Sequence, residues 1–304
     1  MQRVRPRDIV VPGSIANLGP GFDTLGLAVN LYLRLHITNI ERDGRGRVRF
    51  RFADGPIGGR NRIADGFRAL GPLKNAPSMD VLVRTEIPPR GGLGSSAAAT
   101  VAGLKLRELV DGRRSGDEIL AAASRIEGHA DNVAPSIFGG MTSCCAAADG
   151  TIRVTKWPWP ANWRIVVATP HTELATSVSR GTLPRAMAIS DAVFNLQHMA
   201  LLLGALQSAS ADDFREALQD RMHQPHRARL VPGLRRLLSM RHPDVIGFCL
   251  SGAGPSVAAF TTGATDAAER ILKQAYRRER IACTVRTVQV HTALRRGSVQ
   301  EGDA

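Results

Sequence analysis

Three turns rich in glycine and serine carry most of the chemistry open to this sequence. The central one, Pro88-Pro89-Arg90-Gly91-Gly92-Leu93-Gly94-Ser95-Ser96-Ala97-Ala98, follows a predicted strand and opens a predicted helix. Gly91, Gly92 and Gly94 let the backbone reach positive φ and approach a ligand closely. The first amides of the helix beyond them carry partial positive charge, so main chain alone can cradle a phosphate chain. Ser95 or Ser96 can add a hydroxyl to a phosphate or to magnesium. Taken alone, the segment reads equally well as a strand-to-helix turn with serines at the N-cap. A Walker P-loop is excluded, because that motif ends in Gly-Lys-Ser/Thr and no lysine lies between Lys74 and Lys105. Two further turns, over residues 12–23 and 250–256, repeat the style. Three in one chain exceed what core packing requires.

Hydrophobic patterning supplies the elements that would hold these turns. Strands are predicted over 8–11, 31–39, 47–52 and 80–85, and helices over 61–70, 95–110 and 117–125. Further on, a strand over 163–169 precedes one or two apolar helices over 184–208 and another over 212–220. The last stretch reads strand 245–250, strand 256–261, helix 265–278, strand 282–290. Strands and helices alternate irregularly, which favours α+β over a doubly wound parallel sheet. The segment from Trp157 to Trp163 holds two prolines and all three tryptophans. It reads as irregular chain between two domains, 1–157 and 158–304.

Composition bounds the class. The chain has 304 residues, 43% hydrophobic and 22% charged, in the range of an ordinary globular protein of about two domains. Net charge is +13, yet all but four of the 40 basic residues are arginines scattered singly or in pairs, and aromatics are only 5%. Nucleic-acid recognition usually needs clustered charge and aromatic platforms, so no nucleic-acid partner is expected. Four cysteines without CxxC spacing suggest neither disulfides nor zinc and read as reduced, mostly buried thiols. The longest uninterrupted apolar run, 199–206, falls well short of the ~20 residues that span a bilayer, so no membrane span is expected. The basic first residues lead into a β-like run rather than a signal peptide, which points to the cytoplasm. The polar end, 295–304, is expected to fray.

The three turns, in this order, resemble the motifs of the GHMP kinases, whose central PxxxGLGSSAA pattern is matched from Pro88 to Ala98. Within that superfamily the sequence is similar to the homoserine kinase family, through SIANLGPGFDTLGLA at 14–28, EGHADNVAP at 127–135 and the following Gly139-Gly140. The likeness runs from about residue 10 to 290. It implies a two-domain α+β GHMP kinase fold, with an N-terminal domain like ribosomal protein S5 domain 2, containing a left-handed βαβ unit, and a ferredoxin-like C-terminal domain. ATP and Mg2+ would be the cofactors, L-homoserine the substrate, O-phospho-L-homoserine for threonine biosynthesis the product, and a homodimer the assembly.

By the same resemblance, residues 88–98 hold the nucleotide's phosphates and Asn61 contacts adenine, while Ser96 and Glu127 bind magnesium. Arg180 and Arg227 would take the amino acid's carboxylate; guanidinium suits that bidentate task. Thr176 and Gly252 are further substrate contacts, and Asn17, Asp23 and His129 meet its hydroxyl and ammonium ends. Asn132 would face the reacting hydroxyl, with Asp131 beside it, where sugar and mevalonate kinases of the superfamily carry an aspartate base. Catalysis without a dedicated base is the resulting expectation, since a loose phosphoryl-transfer transition state needs little nucleophile activation. The rival readings are a GHMP kinase for an isoprenoid alcohol, a catalytically silent GHMP-fold regulator, and an arginine-rich nucleic-acid binder. A substrate panel separates the first two, and salt-dependent retention on heparin or DNA the third.

Overall fold

The computed structural model describes residues 8–53, 55 and 60–292. Its strands form two sheets, one in each half of the chain. The first sheet is built on β2 (Leu25–Glu41), whose Leu33, Leu35 and Ile37 are buried while Arg34 and His36 between them face water. β1 (Asp8–Ala16) runs antiparallel along one edge of β2, with a register shift between Pro12 and Gly13. Along the other edge lie β4 (Ser78–Thr85) and, at the opposite end, β5 (Met141–Ala146), both antiparallel to β2. β3 (Val48–Phe52) pairs parallel to β4, and β6 (Ile152–Trp157) closes the far side on β5. α1 (Arg62–Arg68) makes the crossover from β3 to β4.

Under this sheet sit α2 (Ser95–Asp111), α3 (Gly116–Glu127) and α4 (Val133–Phe138). α2 is apolar nearly all round, with Ala97, Ala98, Val101, Leu104 and Leu106 buried, as a helix enclosed by neighbours must be. α3 is amphipathic and opens on a capping box, in which Ser115 and Glu118 satisfy each other's backbone amides.

The second sheet runs in the order β10-β7-β9-β8, all antiparallel, from β7 (Arg164–Pro170), β8 (Gly247–Leu250), β9 (Val257–Thr261) and β10 (Cys283–Val288). With helices between β7 and β8, and α10 (Asp266–Arg278) between β9 and β10, this is the split βαββαβ arrangement of ferredoxin-like domains. Both faces of the sheet are covered, which explains the unbroken apolar run of β7. Ile165 and Val167 join the core shared with the first half, whereas Val166 and Ala168 join a second core with α10 and α9 (Leu234–Ser239). Two α+β halves thus make one molecule.

Several elements depart from the sequence reading. β5 and β6 were not predicted: Cys144-Cys145-Ala146 carries little β signal, and the strand forms through its pairing with β6 along its whole length and with β2 over Met141–Ser143. Trp157 ends β6 rather than beginning irregular chain. Trp159 and Trp163 then pack on Phe214 and Phe260, so the two tryptophans anchor the start of the second half in the core. α5 (Thr176–Gly181), α7 (Ala211–Ala217) and α8 (Gln224–Arg227) are short, and the apolar stretch beginning at 184 forms one helix only from Ile189, as α6 (Ile189–Ser208). Among the described residues α6 is long and apolar enough to cross a membrane by length and composition, a test that a helix packed on a globular core also passes. Its first turns are inverted, with Asn195 and His198 buried against the protein while Ile189 and Leu196 stand 82% and 70% exposed, whereas Leu202, Ala205 and Leu206 further along are buried. The cysteines are free, but only Cys144 and Cys249 are buried. The polar end predicted to fray lies outside the described residues.

Candidate active site

Main-chain and serine hydrogen bonds draw the three glycine turns together. Ser14 N–H donates to Leu93 O at 3.1 Å, and Ser256 N–H to Gly91 O at 3.1 Å. Ser251 Oγ donates to Gly92 O at 2.7 Å, and Asn17 Nδ2 to Gly252 O at 3.1 Å. Arg90, Gly92 and Gly94 all have positive φ, at 53°, 77° and 71°. That geometry turns the chain into α2 with Gly94, not a serine, at the N-cap, and no side chain bonds the first amides of the helix. The serine N-cap reading is therefore corrected. The first turn of a 17-residue helix keeps its donors and its dipole for an anion.

A cavity of about 460 Å³ opens in front of this turn. Of the residues singled out from sequence, Pro89, Arg90, Gly91, Gly92, Gly94, Ser95, Ser96 and Ala97 line it, as do Asn17, Asp23, Asn61, Glu127, His129, Asn132, Thr176, Arg180, Arg227 and Gly252. Three do not. Pro88 and Leu93 line a separate cavity of about 260 Å³ behind the loop, and Ala98 is fully buried in the core. Asn61 spends Oδ1 on the amides of Ile63 and Ala64 as the N-cap of α1, which leaves Nδ2 for any contact across the cavity. Arg90 is turned toward Glu173, 2.5 Å away.

The charged groups form one network. Arg180 grips Asp23 with two bonds of 2.8 Å. Arg227 lies deeper, 2% exposed, donating from Nη1 to Gly252 O at 3.0 Å and to His223 Nδ1 at 3.2 Å, while its Nε is buried with no partner. Burial, and then the charge of Arg180, lower its pKa to about 10, so the guanidinium stays charged near neutrality. One ring serves both arginines: Phe22 has its centroid 5.5 Å from Arg180 Cζ and 5.2 Å from Arg227 Cζ. His223, wholly buried, donates from Nε2 to Gly19 O at 2.8 Å, and its burial favours the neutral ring, whose Nδ1 can accept from Arg227.

At the head of α4, Asp131 is 3% exposed and its Oδ1 accepts from His129 Nδ1 at 2.6 Å, Asn132 N at 2.8 Å and Asn132 Nδ2 at 3.2 Å. Burial works against the charged form of His129. The bond to Asp131, with the charges of Asp131, Asp23 and Glu127, outweighs it and raises the pKa. Glu127, at the end of α3, accepts from Thr100 Oγ1 through Oε1 at 2.6 Å, so Oε2 is left to face a ligand. Ser96, on the first turn of α2, is exposed on the same cavity.

Sequence reasoning missed Arg60 and Arg62, which line the cavity beside Asn61 and meet Asp65 at 2.6 and 3.7 Å. It also missed the supporting partners Ser14, Thr100 and His223. Arg60 and Arg62 flank a residue already singled out, and that proximity was the available signal. Nothing local marks the other three.

Comparison with known proteins agrees with this geometry. Residues 61–140 match the GHMP kinases N terminal domain and residues 202–278 the GHMP kinases C terminal model. The chain is 38% identical over 280 residues to the homoserine kinase of Solibacter usitatus, covering 88% of this chain and 89% of that protein. It is 42% identical over 260 residues to that of Deinococcus radiodurans, covering 84% of each. The solved structure of the homoserine kinase from Cytophaga hutchinsonii superimposes with a TM-score of 0.80 at 27% identity, over 95% of this chain and 96% of that one. With both halves matched and the glycine turns, buried arginine and acidic partners in one cavity, this chain belongs to the homoserine kinase family of the GHMP kinases.

Proposed function

We propose that the chain transfers the γ-phosphoryl group of ATP to the side-chain hydroxyl of L-homoserine, giving O-phospho-L-homoserine and ADP, the step that precedes threonine synthase. The observation that carries this reading is Arg227, a buried guanidinium whose Nε has no partner within the protein, set beside a carboxylate network. An amino-acid carboxylate supplies the missing acceptor in the bidentate geometry guanidinium prefers. Asp23 and Asp131 offer negative charge to the substrate's ammonium, and Asn17, His129, Thr176 and Gly252 surround it. An isoprenoid alcohol has no group that needs these cations and anions together.

The chain's residues do three things. The amides opening α2, with Gly91 to Gly94, bind the phosphate chain. Ser96 and Glu127 offer a hydroxyl and a carboxylate oxygen, a donor pair that fits a hard divalent cation whose other positions go to phosphate and water, and magnesium bound there would neutralise phosphate charge. The arginines and acidic groups hold homoserine so that its hydroxyl oxygen faces the γ-phosphorus. The oxygen bonds to phosphorus as the bond to the β–γ bridging oxygen breaks, and the hydroxyl proton passes to the transferred phosphoryl group. No dedicated base is required, because a loose transition state demands positioning and charge stabilisation more than nucleophile activation.

A coupled ADP-release assay with L-homoserine, L-threonine, L-serine and mevalonate tests the reading; ATP binding without homoserine-dependent turnover would overturn it. Thr100 gives a finer test. Thr100→Val keeps the shape but leaves Glu127 unoriented, so the magnesium needed for half-maximal rate is expected to rise about 10- to 100-fold, with an unchanged requirement counting against Glu127 as a ligand.

A cytoplasmic homodimer is part of the proposal. The homodimer is supported by the outward face of α6, where Ile189, Val193 and Leu196 stand exposed at helical spacing. Light scattering is expected to give twice the 32.7 kDa chain mass and to fall toward one chain in Leu196→Asp; a wild-type monomer would remove the dimer from the proposal.

A further inference from the structure

We infer that Ser14 is a positioning residue that holds the Asn132 amide, in the orientation Asp131 selects, with its N–H end toward the active site, an inference that rests on the kinase reading above. Ser14 lies on β1, fully buried, 118 residues from Asn132 in sequence. Its hydroxyl donates to Asn132 Oδ1 at 2.8 Å. The Asn132 backbone carbonyl is 3.4 Å from the same hydroxyl, a much longer contact, so the Ser14 proton goes to the side chain.

On its other side the amide meets an acceptor with no donor of its own. The Asp131 carboxylate takes Asn132 Nδ2 at 3.2 Å, together with His129 Nδ1 and the Asn132 amide. Turning the amide over would set Oδ1 against that carboxylate, two acceptors in contact in a buried site. The carboxylate therefore selects the orientation, and Ser14, whose hydroxyl can donate or accept, donates to Oδ1 and holds the amide there. Oδ1 is held by Ser14, one Nδ2 hydrogen by Asp131, and the second Nδ2 hydrogen is uncommitted.

Asn132 consequently meets the reacting groups as an N–H donor. It can stabilise negative charge building on the transferring phosphoryl group or orient the hydroxyl oxygen, and its oxygen, occupied by Ser14, does not serve as the proton's destination. The glycine turn is built around the same hydroxyl: a side chain at Gly94 would land on Ser14 Oγ and within 3.1 Å of Asn132 Oδ1. Ser14 thus ties the amide to the turn that opens α2.

The test is a double-mutant cycle on kcat with Ser14→Ala, Asn132→Ala and the pair. Ser14→Ala is expected to lower kcat about five- to tenfold, the range spanned by loss of one neutral hydrogen bond, with KM for ATP and homoserine nearly unchanged. In the Asn132→Ala background the same change is expected to cost nothing further. Additive losses, or a change in KM for ATP equal to that in kcat, would assign Ser14 to the fold of the loop and overturn the inference. A second readout is independent of turnover. The side-chain amide resonances of Asn132, assigned by their loss in Asn132→Ala, are expected to be sharp in the wild type and broadened or doubled in Ser14→Ala. Unchanged resonances overturn the positioning role even if homoserine proves not to be the substrate, whereas perturbed resonances in a protein inactive on homoserine would sink only the kinase reading.

Discussion

Arg227→Ala is expected to lower kcat/KM for L-homoserine about 10²- to 10³-fold, mostly through KM, while leaving KM for ATP close to the wild-type value. Truncating one partner of a buried, hydrogen-bonded charge pair costs about 2–5 kcal/mol, and each 1.36 kcal/mol is a factor of ten. Arg227 meets that description better than Arg180. It is 2% exposed and retains an unpartnered buried Nε, whereas the Arg180 side chain is 43% exposed and its guanidinium is engaged with Asp23. Arg180→Ala is accordingly expected to cost less. Folding should tolerate the loss of Arg227, because removing a half-satisfied buried cation relieves a desolvation cost that offsets the bonds lost to Gly252 and His223. Steady-state kinetics with both substrates, beside thermal melts, decides the matter. Equal losses for the two arginines, or an Arg227→Ala protein that no longer binds ATP, would show that the buried cation does not single out the carboxylate.

How far the sequence reaches can be judged from particular residues. Gly92 and Gly94 were legible because glycines before a helix signal positive φ and close approach, and both have it. The strand over 80–85 and the helix over 95–110 follow from β-branched and alanine-rich periodicity, and each is found within two residues of its predicted ends. Ser14, Thr100 and His223 were not legible. Each acts through a partner on another element, Asn132, Glu127 and Arg227 respectively, and one-dimensional spacing carries no information about a hydroxyl donating to an amide 118 residues away. The serines at 95 and 96 misled for a related reason, since good N-cap residues usually cap, and here the turn has a left-handed glycine in that position. β5 was missed because its stability comes from cross-strand partners on β6 and β2. Trp159 and Trp163 were read through their flanking prolines, which report on local backbone, while their rings pack on Phe214 and Phe260, about 50 to 100 residues further along the same half. Apart from Arg60 and Arg62, which flank Asn61, what stayed hidden was set by tertiary partners.

Gly92→Ala is expected to abolish most activity and to destabilise the fold by about 3 kcal/mol or more, because two costs fall on one residue. With φ at 77°, a Cβ at this position carries the left-handed penalty of about 1–2 kcal/mol. That Cβ would also stand 2.5 Å from Ser251 O and 2.6 Å from Gly254 O, both backbone atoms that cannot swing aside as a side-chain end can. Relief requires the 250–256 turn to retreat from the 88–94 turn, breaking the Ser251 Oγ to Gly92 O and Ser256 N to Gly91 O bonds that join them. Such overpacking typically costs a further ~1–3 kcal/mol. The functional loss should exceed the stability loss, since Gly252 O is the acceptor that holds both Asn17 and Arg227 in the cavity. Gly128→Ala provides the contrast: it also has positive φ, at 81°, but nothing lies within 4 Å of its Cβ, so only the backbone cost applies. Chemical denaturation of both variants, with KM for each substrate, separates the two contributions. Equal destabilisation in the two proteins would mean that the glycine turns do not press on one another as the structure has them.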